Sequence, residues 1–164
     1  SFIPSWFWVP ILVSSSFSTS GGFSSSFTSS SFTTLGGVNL AISTFGAIRK
    51  KIAEMATGIF VSEAGSYRAA KDVQDKIDEL VAGGMNHQEA ELKGVEEFAV
   101  EASILKVFVS DLTQNTADEG IQIYGGMGYS ADAPMERAYR DARINRIFEG
   151  TNEVNRLFDR KLLY

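Results

Sequence analysis

Apolar residues recur at helical spacing along most of this chain, beginning near residue 39. Their first long run steps by four, three and four residues, and charged side chains fall on the other faces. That spacing predicts a half-buried amphipathic helix. Thr44 is the predicted N-cap, and Gly83-Gly84 predicts the end of the helix. The apolar positions that define the run are Ile48, Ile52, Met55 and Ile59.

A second long amphipathic run begins at Asn86, whose spacing to Glu89 is that of a capping box. It continues to Tyr124 and meets a glycine pair, Gly125-Gly126, which again predicts a helix end. Its polar section, residues 114–116, is the place where we expect a bend. Two helices of this length joined by a short turn predict an antiparallel hairpin inside a bundle.

Two shorter helices are predicted near the C-terminus. Pro134 fits the first turn of the third helix, which ends near Asn145, and Thr151 is the predicted N-cap of a fourth running towards Leu163. The predicted fold class is therefore all-α, an up-and-down four-helix bundle over residues 39–164. No sheet is predicted from residue 39 onward.

Residues 1–38 form a separate, low-complexity unit rich in serine and phenylalanine, and the first charged side chain of the chain is Arg49. The opening apolar run is too short to span a bilayer as a helix, and it lacks the basic segment of a secretory signal. Three interpretations remain open: a disordered, aggregation-prone tail, short β-strands that belong to a neighbouring sheet-rich region, or a membrane-touching anchor. We assign this unit no fold and no chemistry.

Composition excludes several kinds of site. The 164-residue chain has a net charge of −5, so an electrostatic nucleic-acid footprint is not expected. It has no cysteine, which removes disulfides, thiolates and iron–sulfur clusters and suits a reducing compartment. His87 is the sole histidine, predicted to be exposed, and no metal site is predicted. An arginine stripe is predicted to make structural ion pairs, with Asp141 reaching Arg137. Its members are Arg137, Arg140, Arg143 and Arg146.

The candidate chemistry lies in residues 122–156. The YGGMGY segment follows a helix and has no G-x-G-x-x-G spacing, so it predicts a helix end rather than a phosphate loop. Glu149 lies at a helix junction between Ile147-Phe148 and Gly150-Thr151. A carboxylate among apolar groups is disfavoured in its ionised form, which moves its pKa towards the range of a general base. Gly150 would let a ligand approach the backbone closely.

Two separated blocks carry a family resemblance. The run IQIYGGMGYSADAPMERAYRDARINRIFEGTNEVNRL resembles the C-terminal signature of the acyl-CoA dehydrogenase family. The run FGAIRKKIAEMATGIFVSEAGSYR resembles the first helix of that family's C-terminal bundle. Together the resemblance covers residues 39–157. It implies an oxidoreductase, a flavoprotein that carries out FAD-dependent α,β-dehydrogenation of a fatty acyl-CoA thioester in fatty acid β-oxidation.

The resemblance also implies residue roles. Glu149 would be the catalytic base that removes the α-proton while the β-hydrogen leaves as hydride to flavin N5. Its backbone amide would help hold the thioester carbonyl, and Gly150 would line the acyl-CoA site. One implied FAD contact comes from a neighbouring subunit and the other from the segment after the base. These residues are Gln122, Ile123, Tyr124, Gly125 and Gly126, then Thr151, Asn152 and Glu153.

The implied partners are a fatty acyl-CoA, an electron-transfer flavoprotein as electron acceptor, and further copies of the chain in a homodimer or homotetramer. The implied location is the bacterial cytoplasm or the mitochondrial matrix. Neither nucleic acid nor a membrane span is expected.

Two features depart from the family pattern. Family members carry an arginine just before the NLAIS-like stretch, and here that place, LGGVNLAIS, has none. Residues 1–38 also have no counterpart of the family's N-terminal helical and middle β domains. We therefore expect the chain by itself to hold FAD incompletely. Two alternatives stay open: a non-catalytic helical interaction or oligomerisation module derived from such an enzyme, and a relative of the acyl-CoA oxidases.

Overall fold

The computed structural model describes residues 31–33 and 39–162, and it describes side chains for residues 41–157. Predictions made for residues 1–30 and 34–38 lie outside this range. Two short strands and a 3-10 turn (Ile42–Thr44) precede the helices. In chain order the elements are β1 (Ser31–Thr33), β2 (Asn39–Ala41), α1 (Gly46–Ala82), α2 (His87–Glu97), α3 (Ala99–Tyr124), α4 (Gly126–Tyr129), α5 (Pro134–Ile144) and α6 (Asn152–Leu162).

The two strands form one antiparallel pair in which Phe32 lies opposite Leu40. The prediction of no sheet from residue 39 onward is wrong for Asn39–Ala41, because three residues are too few to show a period of two. Ser31–Thr33 does form a short strand, one of the three interpretations left open for the tract, although its partner belongs to the same chain.

The start of α1 differs from the prediction and its end agrees. Thr44 does not cap the helix; its Oγ1 donates to the carbonyl of Ala41 at 2.8 Å, and Phe45 is the N-cap residue. The hydroxyl is thus used within the preceding turn, as serine and threonine side chains often are. At the other end Gly83 is the C-cap, and Gly84 has a φ of 91°, which confirms the glycine stop.

The second predicted helix is two helices, and the bend was placed wrongly. The chain breaks at Phe98, between α2 and α3, while α3 runs without interruption through Gln114. The polar section is helical, with the Thr113 hydroxyl donating to the carbonyl of Val109 at 2.7 Å and Gln114 buried in the fold. The cap at Asn86 is confirmed, since its side chain accepts from the amide of Gln88 at 3.3 Å.

Helix α1 runs antiparallel to α2 and α3, as predicted. As residue numbers rise along α1, the numbers of the facing residues fall. A Cβ built on Gly58 would lie 2.6 Å from Leu112 Cδ1, so the two helices are close enough that a larger residue at this position would displace the Leu112 side chain. The facing pairs are Lys51 with Glu119, Gly58 with Leu112, and Ile77 with Gly94.

Helix α3 is the central element, because α1, α4, α5 and α6 all pack against it. The start of α5 at Pro134 confirms the predicted N-terminal proline, and the all-α fold class is confirmed for the described helices. The most completely buried large side chains are Val109, Asn152 and Ser110. Two of these three are polar, and they contact each other where the segment that contains Asn152 docks on α3. None of the described helices has the length and apolar content needed to cross a bilayer.

Candidate functional site

The link between α5 and α6 is a tight turn with an unusual backbone. Glu149 has a φ of 55°, and it is the non-glycine residue with positive φ among the described residues. Gly150 follows with a φ of 83°, and the amide of Asn152 donates across the turn to the carbonyl of Arg146 at 3.2 Å. A left-handed conformation costs a residue with a Cβ about 1–2 kcal/mol, so the surroundings must hold it in place.

Lys106 on α3 supplies part of that hold. Its Nζ donates to the carbonyl of Gly150 at 2.7 Å and to Asn152 Oδ1 at 2.8 Å. Lys106 is only 7% exposed, which is rare for a lysine. Burial lowers the pKa of Lys106 below the ordinary lysine value, while the negative charges of Glu149, Asp111 and Glu153 act in the opposite direction.

Asn152 fills the space beside this lysine and is 1% exposed. Its Nδ2 donates to Ser110 Oγ at 2.9 Å and to Asp111 Oδ1 at 3.0 Å, and its Oδ1 also accepts from Ser110 Oγ at 3.1 Å. The side-chain amide is therefore fully engaged with α3. Of the residues predicted to contact FAD, Asn152 and Ile123 are the two whose side chains are buried.

Asp111 ties both sides of the turn to α3. Its carboxylate forms ion pairs with Arg146, whose Nε lies at 2.7 Å, and with Arg156, whose Nη2 lies at 2.6 Å. Asn155 adds a further contact, because its Nδ2 donates to the carbonyl of Gly150 at 2.9 Å. Two residues of α3, Lys106 and Asp111, thus anchor the Glu-Gly-Thr turn and the segments on its two sides.

Three of the four members of the arginine stripe, Arg137, Arg140 and Arg146, make structural ion pairs as predicted. Arg137 lies 3.6 Å from Asp141, as expected, and Arg140 pairs with Glu136 at 2.6 Å. Arg146, at the end of the stripe, turns to Asp111 on α3.

The surroundings of Glu149 differ from the prediction. Glu149 and Gly150 are both exposed, and Ile147 is exposed as well. The expected apolar setting for the carboxylate is therefore wrong for this chain, because the left-handed backbone directs the turn outward from α3. Gly150 is exposed as well, and a Cβ built on it would lie 3.2 Å from Asn155 Nδ2, so the approach of a ligand to its backbone stays a prediction.

Thr151 and Glu153, which follow the turn, have different surroundings. Thr151 Oγ1 accepts from the amide of Val154 at 3.3 Å, which confirms the predicted cap of α6. Glu153 lies exposed in the first turn of α6. Hydrogen bonds from its own backbone amide and from the Thr151 hydroxyl lower the pKa of Glu153, with smaller help from Arg156 and Arg146.

The predicted flavin segment lies at the other end of α3. Helix α3 stops at Tyr124, and Gly125 adopts a φ of 62°, which confirms the helix end; the short α4 then begins at Gly126. A Cβ built on Gly125 or Gly126 would meet no heavy atom within 4 Å. Gln122 is exposed, Tyr124 is half-buried, and the side chain of Ile123 is buried.

The structure therefore collects the predicted residues into two groups rather than one. Residues 149–153 pack against α3 near Lys106. Residues 122–126 lie at the C-terminal end of α3 and just beyond it. With a rise of about 1.5 Å per residue, Lys106 and Gln122 are separated by about 24 Å along the helix axis. One chain does not bring the two groups together.

Sequence reasoning missed Lys106, Ser110 and Asp111. The available signal was the position of Lys106 on α3, three residues after Ser103 and four before Ser110, which puts a lysine on a helix face with small polar neighbours. Such a face predicts a polar partner, but the partner lies more than forty residues away in the chain.

The fold is thus an antiparallel helical hairpin whose central helix, α3, carries a docked Glu-Gly-Thr turn. The family model for the acyl-CoA dehydrogenase C-terminal domain matches residues 39–160. The chain therefore belongs to the acyl-CoA dehydrogenase family.

Individual relatives agree. A probable acyl-CoA dehydrogenase of Bacillus subtilis is 41% identical over 116 residues, covering 71% of this chain and 20% of that protein. The mitochondrial very long-chain specific acyl-CoA dehydrogenase of Mus musculus is 38% identical over 117 residues, covering 71% of this chain and 15% of that protein. The crystal structure of an acyl-CoA dehydrogenase complexed with FAD from Bacillus anthracis aligns with a TM-score of 0.70 and 40% identity, covering 75% of this chain and 22% of that one. The match thus spans a fifth or less of the length of these curated relatives.

Proposed function

We propose that this chain contributes the C-terminal helical portion of a flavin-dependent dehydrogenase that introduces an α,β double bond into a fatty acyl-CoA thioester. The observation that carries the proposal is the Glu-Gly-Thr turn. Glu149 has a left-handed backbone in a turn that is anchored on α3, and its side chain is exposed. A strained backbone that the surrounding contacts hold in place is a common feature of functional sites, and it supports the proposal that Glu149 is the base.

In the proposed reaction Glu149 acts directly on the substrate. Its carboxylate accepts the α-proton of the thioester, and its backbone amide donates to the thioester carbonyl oxygen, which makes that proton more acidic. Gly150 lets the acyl chain pass close to the backbone. Bound FAD would accept the β-hydrogen as hydride, so that the substrate loses two electrons and two hydrogens in all.

The residues proposed to hold FAD fit one part of a flavin site. The open backbone at Gly125 and Gly126 allows close approach of a polar group, and the exposed amide of Gln122 offers a donor and an acceptor. Ile123 and Asn152 are buried, so we propose that they shape the site through the backbone. Tyr124, Thr151 and Glu153 complete the proposed set.

The spacing of the two groups supports an oligomer. Because about 24 Å of α3 separates Lys106 from Gln122, we propose that residues 122–126 contact the FAD of a neighbouring subunit in a homodimer or homotetramer. We further propose an electron-transfer flavoprotein as the electron acceptor. The bacterial and mitochondrial relatives support a location in the bacterial cytoplasm or the mitochondrial matrix.

The function is tested by mixing the purified chain with FAD and following the flavin absorbance. Because the chain by itself is expected to hold FAD incompletely, we expect weak binding of flavin at high FAD concentration, and we expect a saturated acyl-CoA to bleach the bound fraction with the matching enoyl-CoA as product. Bound flavin that no acyl-CoA bleaches would refute the reaction. A chain that binds no flavin would instead support the non-catalytic helical module, and rapid reoxidation of the bleached flavin by oxygen would support the oxidase alternative.

A further inference from the structure

Lys106 is the buried charged side chain among residues 41–157. An ammonium group is expensive to remove from water unless it gains strong partners, and a lysine in a protein interior is usually paired with a carboxylate. The two acceptors of Lys106 Nζ are instead uncharged carbonyl oxygens, Gly150 O and Asn152 Oδ1. An apolar side chain of similar length would fill the same space without the desolvation penalty.

The two acceptors do not need the lysine. Gly150 O also accepts from Asn155 Nδ2 at 2.9 Å, and Asn152 Oδ1 also accepts from Ser110 Oγ at 3.1 Å. If Lys106 were absent, Gly150 O would keep the Asn155 amide as a donor, and the Ser110 hydroxyl, which lies equally close to Val107 O, would be within reach of Asn152 Oδ1. Satisfying buried polar atoms therefore does not explain a lysine at this position, and the explanation must lie in what the lysine does to the turn.

What the lysine contacts is the backbone directly after the proposed base. Gly150 O belongs to the residue that follows Glu149, and Glu149 and Gly150 are the two consecutive residues with positive φ. Holding the carbonyl of Gly150 limits rotation of the peptides on either side of it. It therefore limits the directions in which the Glu149 side chain can leave the backbone.

We infer that Lys106 is a positioning residue: its ammonium group clamps the turn at Gly150 and Asn152 and thereby holds Glu149 in one orientation. The clamp is a property of the chain without ligands, whereas its consequence for catalysis rests on the proposed function. A misplaced catalytic group costs rate far more than it costs stability, because a shift of about 1 Å can lower the rate by about 10²-fold.

The clamp acts within a charged neighbourhood. Asp111 and its two arginines, Arg146 and Arg156, lie on one side, and the carboxylates of Glu149 and Glu153 also act on the lysine. Since burial lowers the pKa of Lys106, its deprotonation belongs to a pH range below the ordinary lysine value. Loss of that proton removes the charge-assisted part of both hydrogen bonds.

The first test uses Lys106→Met, with Lys93→Met as the matched control on the exposed face of α2. The reporter is the amide of Asn152, which donates to Arg146 O across the turn. We expect the urea midpoint of Lys106→Met to be unchanged or higher, while its Asn152 amide exchanges with solvent at least about 10-fold faster. The control should exchange at the wild-type rate. Wild-type exchange in Lys106→Met would overturn the inference.

The second test restores the charge. The chain has no cysteine, so Lys106→Cys provides a unique thiol that can be alkylated in denaturant before refolding. Aminoethylation places an ammonium group at nearly the length of lysine, and carbamidomethylation leaves the side chain uncharged. We expect only the aminoethylated protein to regain slow exchange at Asn152. Equal exchange in the two products would contradict a role for the charge.

A third measurement needs no variant and decides the case if Lys106→Met fails to fold. In the wild-type chain, carbon-13 labelling of the lysine Cε reports the titration of Lys106, and the amide shifts of Gly150 and Asn152 report the turn. We expect all three to change with one midpoint below the ordinary lysine pKa. Amide shifts that stay constant through the Lys106 titration would overturn the clamp.

Activity separates this inference from the function on which its catalytic meaning rests. If the wild-type chain shows acyl-CoA-dependent flavin bleaching, Lys106→Met should slow it by about 10²-fold with less than about a 3-fold change in the half-saturating acyl-CoA concentration. If no bleaching occurs while the exchange and titration results hold, the proposed function fails and the clamp stands. Bleaching at the wild-type rate in a variant with a loosened turn would refute the catalytic role.

Discussion

Replacing Asn152 by alanine measures how strongly the turn is bound to α3. The substitution removes one acceptor of Lys106 and all contacts of the amide with Ser110 and Asp111. Two of the lost hydrogen bonds involve a charged group, worth about 1.5–3 kcal/mol each, and the remainder contribute about 1 kcal/mol. Because such contributions overlap when partners are shared, we expect a total loss of about 3–5 kcal/mol.

Thermal and urea unfolding provide the assay, with Asn115→Ala as the matched control. Asn115 is an exposed asparagine on α3, the helix that the turn contacts, so its replacement should change the free energy of unfolding by no more than about 0.5 kcal/mol. For a chain of this size, about 1 kcal/mol lowers Tm by about 2–4 °C, so Asn152→Ala should lower Tm by about 6–20 °C. Equal Tm values for the two variants would refute the reasoning that the Asn152 network anchors the turn.

Two further predictions concern the ends of α3 and α6. Gly125→Ala should destabilise the chain by about 1–2 kcal/mol because its φ of 62° is strained for alanine, whereas the neighbouring Gly126→Ala should be nearly neutral in the same urea titration; similar values would contradict the assigned backbone. The pKa of Glu153 is lowered in the folded chain, so its stabilising contribution is complete above the unfolded pKa and is lost as pH falls through the folded value. Glu153→Gln should therefore flatten the acid limb of a stability-against-pH curve, and an unchanged limb would argue against the hydrogen bonds at the start of α6.

Local signals predicted the helices well because their causes are local. Asn86 and Thr151 accept from amides two and three residues away, and Pro134 occupies a position where no amide donor is needed. The glycine stops depend on Gly84 and Gly125, whose positive φ values favour glycine. Each of these features can be read within one helical turn of the sequence.

The predictions that failed depended on distant contacts or on competing local ones. Thr44 had a carbonyl available in the preceding turn and used it instead of capping α1. No glycine or proline directly flanks Phe98, so the sequence did not predict the break between α2 and α3. Lys106 and Asn152 meet across more than forty residues, so neither the clamp nor the left-handed backbone of Glu149 has a signature in the neighbouring sequence.

The exposure of Glu149 also has a physical explanation that sequence could not supply. Apolar neighbours in the chain predicted an apolar setting, but the left-handed turn moves Ile147 and Glu149 outward together. The chain anchors and presents the carboxylate, and in the proposed enzyme the substrate and flavin cover it. The separate location of residues 122–126 at the far end of α3 agrees with a site assembled from two subunits.

The central claim, that Glu149 is the base, is tested most directly by the rate at which a saturated acyl-CoA bleaches flavin bound to the full chain. Glu149→Gln keeps the size and hydrogen-bonding shape of the side chain but removes the proton acceptor, and Glu96→Gln on the exposed face of α2 is the control. We predict bound flavin in both variants, a wild-type rate for the control, and a loss of at least about 10³-fold for Glu149→Gln, equivalent to about 4 kcal/mol. A near-normal bleaching rate in Glu149→Gln would contradict the account.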